Sequence, residues 1–162
     1  MASLAREFER EARTTRRLLE RIPVDKFGWR PHEKSYTAGA LASHIVDCVR
    51  WADEIFAKHE FDLDPADFKS YRAESLDDLL RTFDEKVAKA RQTLSTATDA
   101  AMLHPWRFKV RGKLRFERPK PDVFRDFTLS HLIHHRGQLS VYLRLLNVPV
   151  PGAYGPSADE QL

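Results

Sequence analysis

The sequence predicts an all-α protein built as one four-helix bundle, with a small β-hairpin between helices three and four. Three observations carry that expectation. Four stretches repeat apolar residues at three- and four-residue steps, the spacing of one helix face. No long series of alternating runs asks for a larger sheet. One short stretch, WRFKVRGKLRFE, alternates with period two across Arg111-Gly112, as strands joined by a tight turn do.

Helix one is expected over residues 2–22, where Leu4, Phe8, Ala12, Thr15, Leu19 and Ile22 form the stripe and Pro23 closes it. Helix two, over 37–58, carries Leu41, His44, Cys48, Trp51 and Ile55 on one face, with Arg50, Asp53 and Glu54 on its wetter side. Helix three, over 75–97, opens at Ser75, whose hydroxyl can cap free backbone N–H groups. Asp78 answers three residues later as the aspartate version of a capping box. The stripe then runs through Leu76, Leu79, Leu80, Phe83, Val87, Ala90 and Leu94. Helix four, over 121–146, starts at Pro121, which suits a first helical turn, and stops before Asn147, a tolerated C-terminal cap. The long joins PVDKFGWRPHEKSYT and the stretch around Asp62, Asp64 and Pro65 leave room for connections that cross the bundle.

A chain of 162 residues can bury most of its apolar surface around a single core, so one domain over 1–162 is expected. With 27 basic and 24 acidic side chains the net charge is only +3, which gives no broad electrostatic footprint for nucleic acid or an anionic membrane. A single cysteine, Cys48, excludes an internal disulfide and gives no reason to expect secretion. No run approaches the roughly 18 consecutive apolar residues of a membrane span. The opening MASLAREFEREARTTRRLL is charged throughout, unlike a signal peptide. A cytoplasmic protein that engages neither nucleic acid nor membrane is the expectation.

Chemistry enters where histidines interrupt the apolar stripes. His44 occupies a core-facing position of helix two. His131 and His135 lie one turn apart, so their side chains emerge on about the same face, shared with Phe124 and Tyr142. An unpaired buried polar group costs roughly 1–3 kcal/mol, so imidazoles aimed at one interior need partners. A metal ion supplies one, because neutral imidazole nitrogen is among the commonest ligands for Zn, Ni, Cu and Fe. Three histidines would also leave at least one coordination position open, as catalytic sites do. Against this stands the ordinary reading of a single histidine as a hydrogen-bonded core residue. His134 is also about 60° around the helix from His131, geometrically almost as good a partner as His135, and periodicity does not choose between them. HLIHH lacks the glutamate of H-E-x-x-H, so no zinc-protease motif is present. His32, His59 and His104 fall in or beside loops and read as solvated.

The segment SHLIHHRGQLSVYLRLLNVPVPGAYGP strongly resembles the last helix and tail of the DinB-like metalloprotein family, which includes YfiT-like hydrolases and thiol S-transferases. FGWRPHEKSYTAGALASHIVDCVRW is similar to that family's loop and second helix, with its Leu-x-x-His. The resemblance spans essentially the whole chain and is most specific at HLIHHRGQ. It implies that the ligands are the helix-two histidine and the outer two of H-x-x-H-H, hence His44, His131 and His135, with His134 beside the site. It implies one divalent ion (Zn, Ni, Fe or Mn) and an enzyme that activates a thiol or water, since characterised members include bacillithiol transferases and a mycothiol-dependent isomerase. A small-molecule substrate, a low-molecular-weight thiol and a homodimer are the implied partners. The alternative is a non-catalytic stress-response bundle that binds a metal and a small ligand.

Asp47, one turn beyond His44, is the candidate catalytic residue, placed to orient a ligand or shuttle a proton. Asp126 and Tyr142 flank the histidine pair as weaker candidates, and each of the three could instead serve packing or surface. Arg136 fits either a structural ion pair or contact with an acidic substrate. Leu129, Ile133 and Leu143 lie off the histidine face and could meet a partner subunit or the chain's own tail.

Overall fold

The computed structural model describes residues 2–161 as a mostly helical fold with one small sheet. Helix α1 (Ala2–Leu19) buries Leu4, Phe8, Ala12, Thr15 and Leu19, the stripe read from the sequence. It stops three residues short of the expected end. Tightened turns, with Arg21 and Ile22 donating to the Leu18 and Leu19 carbonyls, bring Ile22 into the core before Pro23. Helix α2 (Ala38–Ala57) begins at Thr37, whose hydroxyl accepts from Ala40 N at 3.2 Å.

Helix α3 (Leu76–Thr96) follows Ser75, whose hydroxyl accepts from Asp78 N at 3.0 Å. The reciprocal half of a capping box is replaced: Asp78 takes Tyr71 OH at 2.7 Å and Glu74 N at 3.2 Å, tying down the loop before the helix. A short helix α4 (Asp99–Leu103) leads into the sheet.

The residues expected to form one helix over 121–146 divide in three. Helix α5 (Lys120–Phe124) passes into a π-helical turn (Arg125–Ser130), and α6 (His131–Leu145) follows. The register therefore shifts just before the histidines, and π turns concentrate at functional sites. The end of α6 is a Schellman arrangement. Asn147, at φ 56°, donates to Arg144 O at 3.0 Å and Val148 donates to Leu143 O at 2.9 Å.

Strands β2 (Pro105–Val110) and β3 (Lys113–Pro119) pair antiparallel across Arg111-Gly112. Both turn residues have positive φ, 49° and 73°, the geometry that matches strand twist in a two-residue turn. A strand not anticipated, β1 (Glu60–Leu63), joins them, so the sheet has three strands in the order β1-β2-β3 with β1 parallel to β2.

Helix α2 is central, packing against α3, α6, α5, the π turn and β1, while α1 packs on α3 and α6. Two buried anchors join the sheet end to α2. Trp106, fully buried, donates its indole N–H to Glu54 O at 3.0 Å. Lys120, also buried, donates to Lys58 O at 2.8 Å and Phe56 O at 3.2 Å, satisfying carbonyls that the end of α2 leaves free. Among the described residues, no helix is long and apolar enough to cross a membrane.

Leu129 and Leu143, candidates for a subunit contact, are buried in the chain's own core, and Ile133 packs against it. The π turn accounts for Leu129, and the return of the chain at Val148 covers Leu143. The apolar side chains α6 leaves exposed are instead Val141 and Leu145.

Candidate metal centre

Helices α2 and α6 lie side by side although more than seventy residues separate them, and their facing stripes carry the histidines. His44 stands on α2; His131 opens α6 and His135 follows one turn later. The three rings meet. Their centroids are 4.9 Å apart for His44 and His131, 4.5 Å for His44 and His135, and 4.8 Å for His131 and His135. Among the described residues, the donor atoms that all lie within 4.8 Å of one another are those of His44, His131 and Cys48, which stands one turn further along α2. His135, expected as the third ligand, meets His44 and His131 ring to ring and is not in that donor set. Sequence reasoning passed over Cys48 as a donor, although its four-residue spacing from His44 held the signal.

The donor set suits a cation. His44 Nε2 and His131 Nε2 are 3.1 Å apart. Two imidazole lone pairs at that separation repel unless a proton or a metal lies between them. Two nitrogens bound tetrahedrally at 2.0–2.1 Å would stand about 3.3 Å apart, so almost no movement is needed.

The electrostatics point the same way. Burial pushes the pKa of His44 below its ordinary value, His135 adds to the effect, and Asp47 opposes it. Burial also lowers His131, with His44 contributing, against hydrogen bonding to the Phe127 backbone. For His135 burial again leads, opposed by Gln138 and reinforced by His131 and His134. All three are thereby held as neutral imidazoles, the form with a lone pair to give. Cys48 is fully inside; burial and then the charge of Asp47 raise its pKa, so without a cation it is a thiol.

Gln138 organises the outer side of the site. Its Oε1 accepts from His135 Nδ1 at 2.8 Å, which makes Nε2 the lone-pair nitrogen of His135. Its Nε2 donates to His134 Nε2 at 3.1 Å. His134 is exposed and spends this nitrogen on Gln138, apart from the meeting point of the three rings. His32, His59 and His104 are exposed, as expected.

The remaining candidates sort differently. Arg136 turns away from the histidines into a buried cluster, donating to Glu11 Oε2 at 2.8 Å, Tyr154 OH at 2.6 Å and Thr15 Oγ1 at 3.3 Å. It makes a structural ion pair. Asp47 is buried; its Oδ2 accepts from Tyr71 N at 2.8 Å, while Oδ1 has no hydrogen-bond partner among the described residues and lies 3.8 Å from Lys86 Nζ. Asp126 pairs with Arg118 at 2.7 Å. Tyr142 donates to Tyr36 O at 3.2 Å and meets Trp29 edge-on, bracing the α1–α2 connection over the site.

A cavity of about 400 Å³ opens against His44, Cys48 and His131, with Asp47 and Asp126 at its polar edge. The centre therefore has room beside it for a small molecule.

The chain is similar to an uncharacterized protein, YrdA, of Bacillus subtilis (strain 168), with 24% identity over 159 residues, covering 96% of this chain and 88% of that one. Its fold matches the crystal structure of a DinB-like protein from Bacillus cereus ATCC 10987, with a TM-score of 0.76 at 20% identity, covering 95% of this chain and 97% of that one. It also matches a DinB-like protein, YjoA, from Bacillus subtilis, with a TM-score of 0.70 at 19% identity and 99% of each chain covered. The DinB family model matches residues 1–161, and this chain belongs to the DinB family.

Proposed function

We propose that this protein holds one divalent metal ion between His44, His131 and His135, inside a four-helix bundle of the DinB type. In this reading it acts as a metal-dependent thiol S-transferase or hydrolase. The observation that carries the reading is the convergence of three neutral imidazole rings from two helices, with centroids 4.5–4.9 Å apart. A bound Zn, Ni, Fe or Mn ion would lower the pKa of a coordinated thiol or water and so supply a nucleophile at neutral pH.

The chain's own residues do the rest. Gln138 holds His135 in the tautomer that presents Nε2 to the centre. Asp47 lines the adjoining cavity and sits one turn from His44, where it can take up or orient a proton of a bound molecule. Trp51 and Phe127 give the same cavity apolar walls. A homodimer and a cytoplasmic location belong to this reading, with Val141 and Leu145 as the apolar side chains that α6 leaves exposed for a second copy.

One observation favours a second reading. Cys48 is a further donor next to His44 and His131, and a thiolate from it would close the coordination sphere. The protein would then bind metal and a small ligand without catalysis. Metal analysis of untagged protein, followed by a screen with low-molecular-weight thiols and ester or amide substrates, separates the two. About one metal per chain with metal-dependent turnover supports the enzyme. Stoichiometric metal without turnover, and a cobalt-substituted form showing thiolate charge transfer that Cys48→Ser abolishes, supports the binding protein. Absence of metal under both native and zinc-supplemented purification contradicts both.

A further inference from the structure

The cavity beside the histidines has a lining that selects by shape and charge. Its walls come from separate parts of the chain: Trp51 on α2, Leu63 on β1, Phe68 in the β1–α3 connection and Phe127 in the π turn. Two of these aromatic walls are held from behind. Trp51 meets Phe127 at 5.2 Å and 82° and Phe61 at 5.1 Å and 73°, both edge-on. The Arg50 guanidinium lies over the Phe68 ring at 4.5 Å. Fixed aromatic faces favour a flat apolar partner, and 400 Å³ accommodates a ring-sized group rather than a peptide or a coenzyme.

The charge of the lining is one-sided. Asp47 and Asp126 are its carboxylates, and among the described residues no lysine or arginine lines it. Asp126 is engaged by Arg118, and Asp47 Oδ1 makes longer ion pairs with Lys86 at 3.8 Å and Arg50 at 4.0 Å; none of these three cations lines the cavity. A carboxylate carried on the body, away from the head that meets the metal, would lose water beside these carboxylates, and among the described residues no lysine or arginine of the lining would receive it.

We propose that this cavity receives the uncharged, ring-sized apolar body of the substrate while the substrate's polar head reaches the histidine centre, and that it rejects substrates carrying a carboxylate on that body. The inference rests on the metal reading above and specifies what that site acts on. Hydroxamic acids test it, because they share one metal-binding head and differ in the body. Zinc-loaded protein is titrated by calorimetry with acetohydroxamic, benzohydroxamic and 4-carboxybenzohydroxamic acids, and each affinity is corrected for the compound's affinity for free zinc.

The benzo compound is expected to bind about tenfold or more tightly than the aceto compound, from burial of its ring. The carboxylated compound is expected to lose that gain. Phe68→Ala, in a connecting segment, should bring the ratio of benzo to aceto affinity most of the way to one. If acetohydroxamate binds only the zinc-loaded form and the benzo compound binds no tighter, the inference is overturned and the metal reading stands. Equal binding of the carboxylated and plain rings overturns the charge selection. If acetohydroxamate binds equally with and without zinc, the metal reading fails and the inference falls with it.

Discussion

Two neighbouring residues of α6, His135 and Arg136, belong to opposite kinds of polar interior. On one side of the helix Arg136 enters a buried cluster in which donors and acceptors answer one another: Glu11, Thr15 and Tyr154 surround it, and Arg10 takes the other Glu11 oxygen at 3.1 Å. On the other side, His44 and His131 bring nitrogens to 3.1 Å with His135 beside them, and among the described residues no lysine or arginine lines the adjoining cavity. A complete network specifies structure. A set of like donors facing one another points to something from outside.

That contrast can be broken from the structural side first. Arg136→Ala takes from buried Glu11 its one buried cation and leaves it Tyr154 OH and the exposed Arg10, and removing one partner of a buried pair costs about 3–5 kcal/mol. Urea unfolding should show a loss of that size, while metal content per folded chain stays unchanged. Loss of metal from folded Arg136→Ala protein would mean that the two sides are not independent.

Much of this division was legible in the sequence. The four-residue spacing of His131 and His135 put them on one face, and His44 broke an otherwise apolar stripe on α2. Arg136 was undecided, because its partners Glu11 and Tyr154 lie 125 and 18 residues away in the numbering and only the fold brings them together. β1 was hidden for a similar reason. EFDL is four residues long, and its pairing with Arg107–Val110 comes from the far side of α3. The break in the last helix left no mark either, since residues 125–130 contain neither proline nor glycine. Cys48 looked like an ordinary small core residue until α6 placed His131 beside it.

The next sharpening concerns Gln138, which touches the histidine side without meeting its centre. Gln138→Leu removes the acceptor for His135 Nδ1 and should weaken metal binding about 10- to 100-fold in competition with a chelator. Gln138→Glu keeps an acceptor and should recover most of the affinity. If Gln138→Leu binds metal like the parent, the bond at 2.8 Å does not orient His135.

Acid separates the two sides by pH. His44, His131 and His135 have folded-state pKa values depressed by burial below the ordinary 6.5. As pH falls through about 6.5 the unfolded chain takes up protons first, so metal-free protein loses stability between there and the lower folded values. Burial alone would raise Glu11, but hydrogen bonds from Tyr154 and Arg136 outweigh it and leave Glu11 below its ordinary 4.5. Its contribution is therefore lost only as pH falls below about 4.5, through the depressed folded value. Thermal unfolding of metal-free protein should show a first decline starting near pH 6.5, absent from a variant in which the three histidines are replaced. A decline that begins only below pH 5 would show that these histidines are not held neutral.

The most direct measurement is the metal content of two single variants purified side by side. His135→Ala should lose the metal and melt near the temperature of the metal-free parent, because an ion bound only by the folded arrangement stabilises it. His134→Ala, whose ring nitrogen answers Gln138 instead, should keep most of the metal. If His134→Ala empties the site and His135→Ala leaves it full, the ligand assignment is wrong; if neither changes metal content, the histidines are core polar residues and the metal account fails.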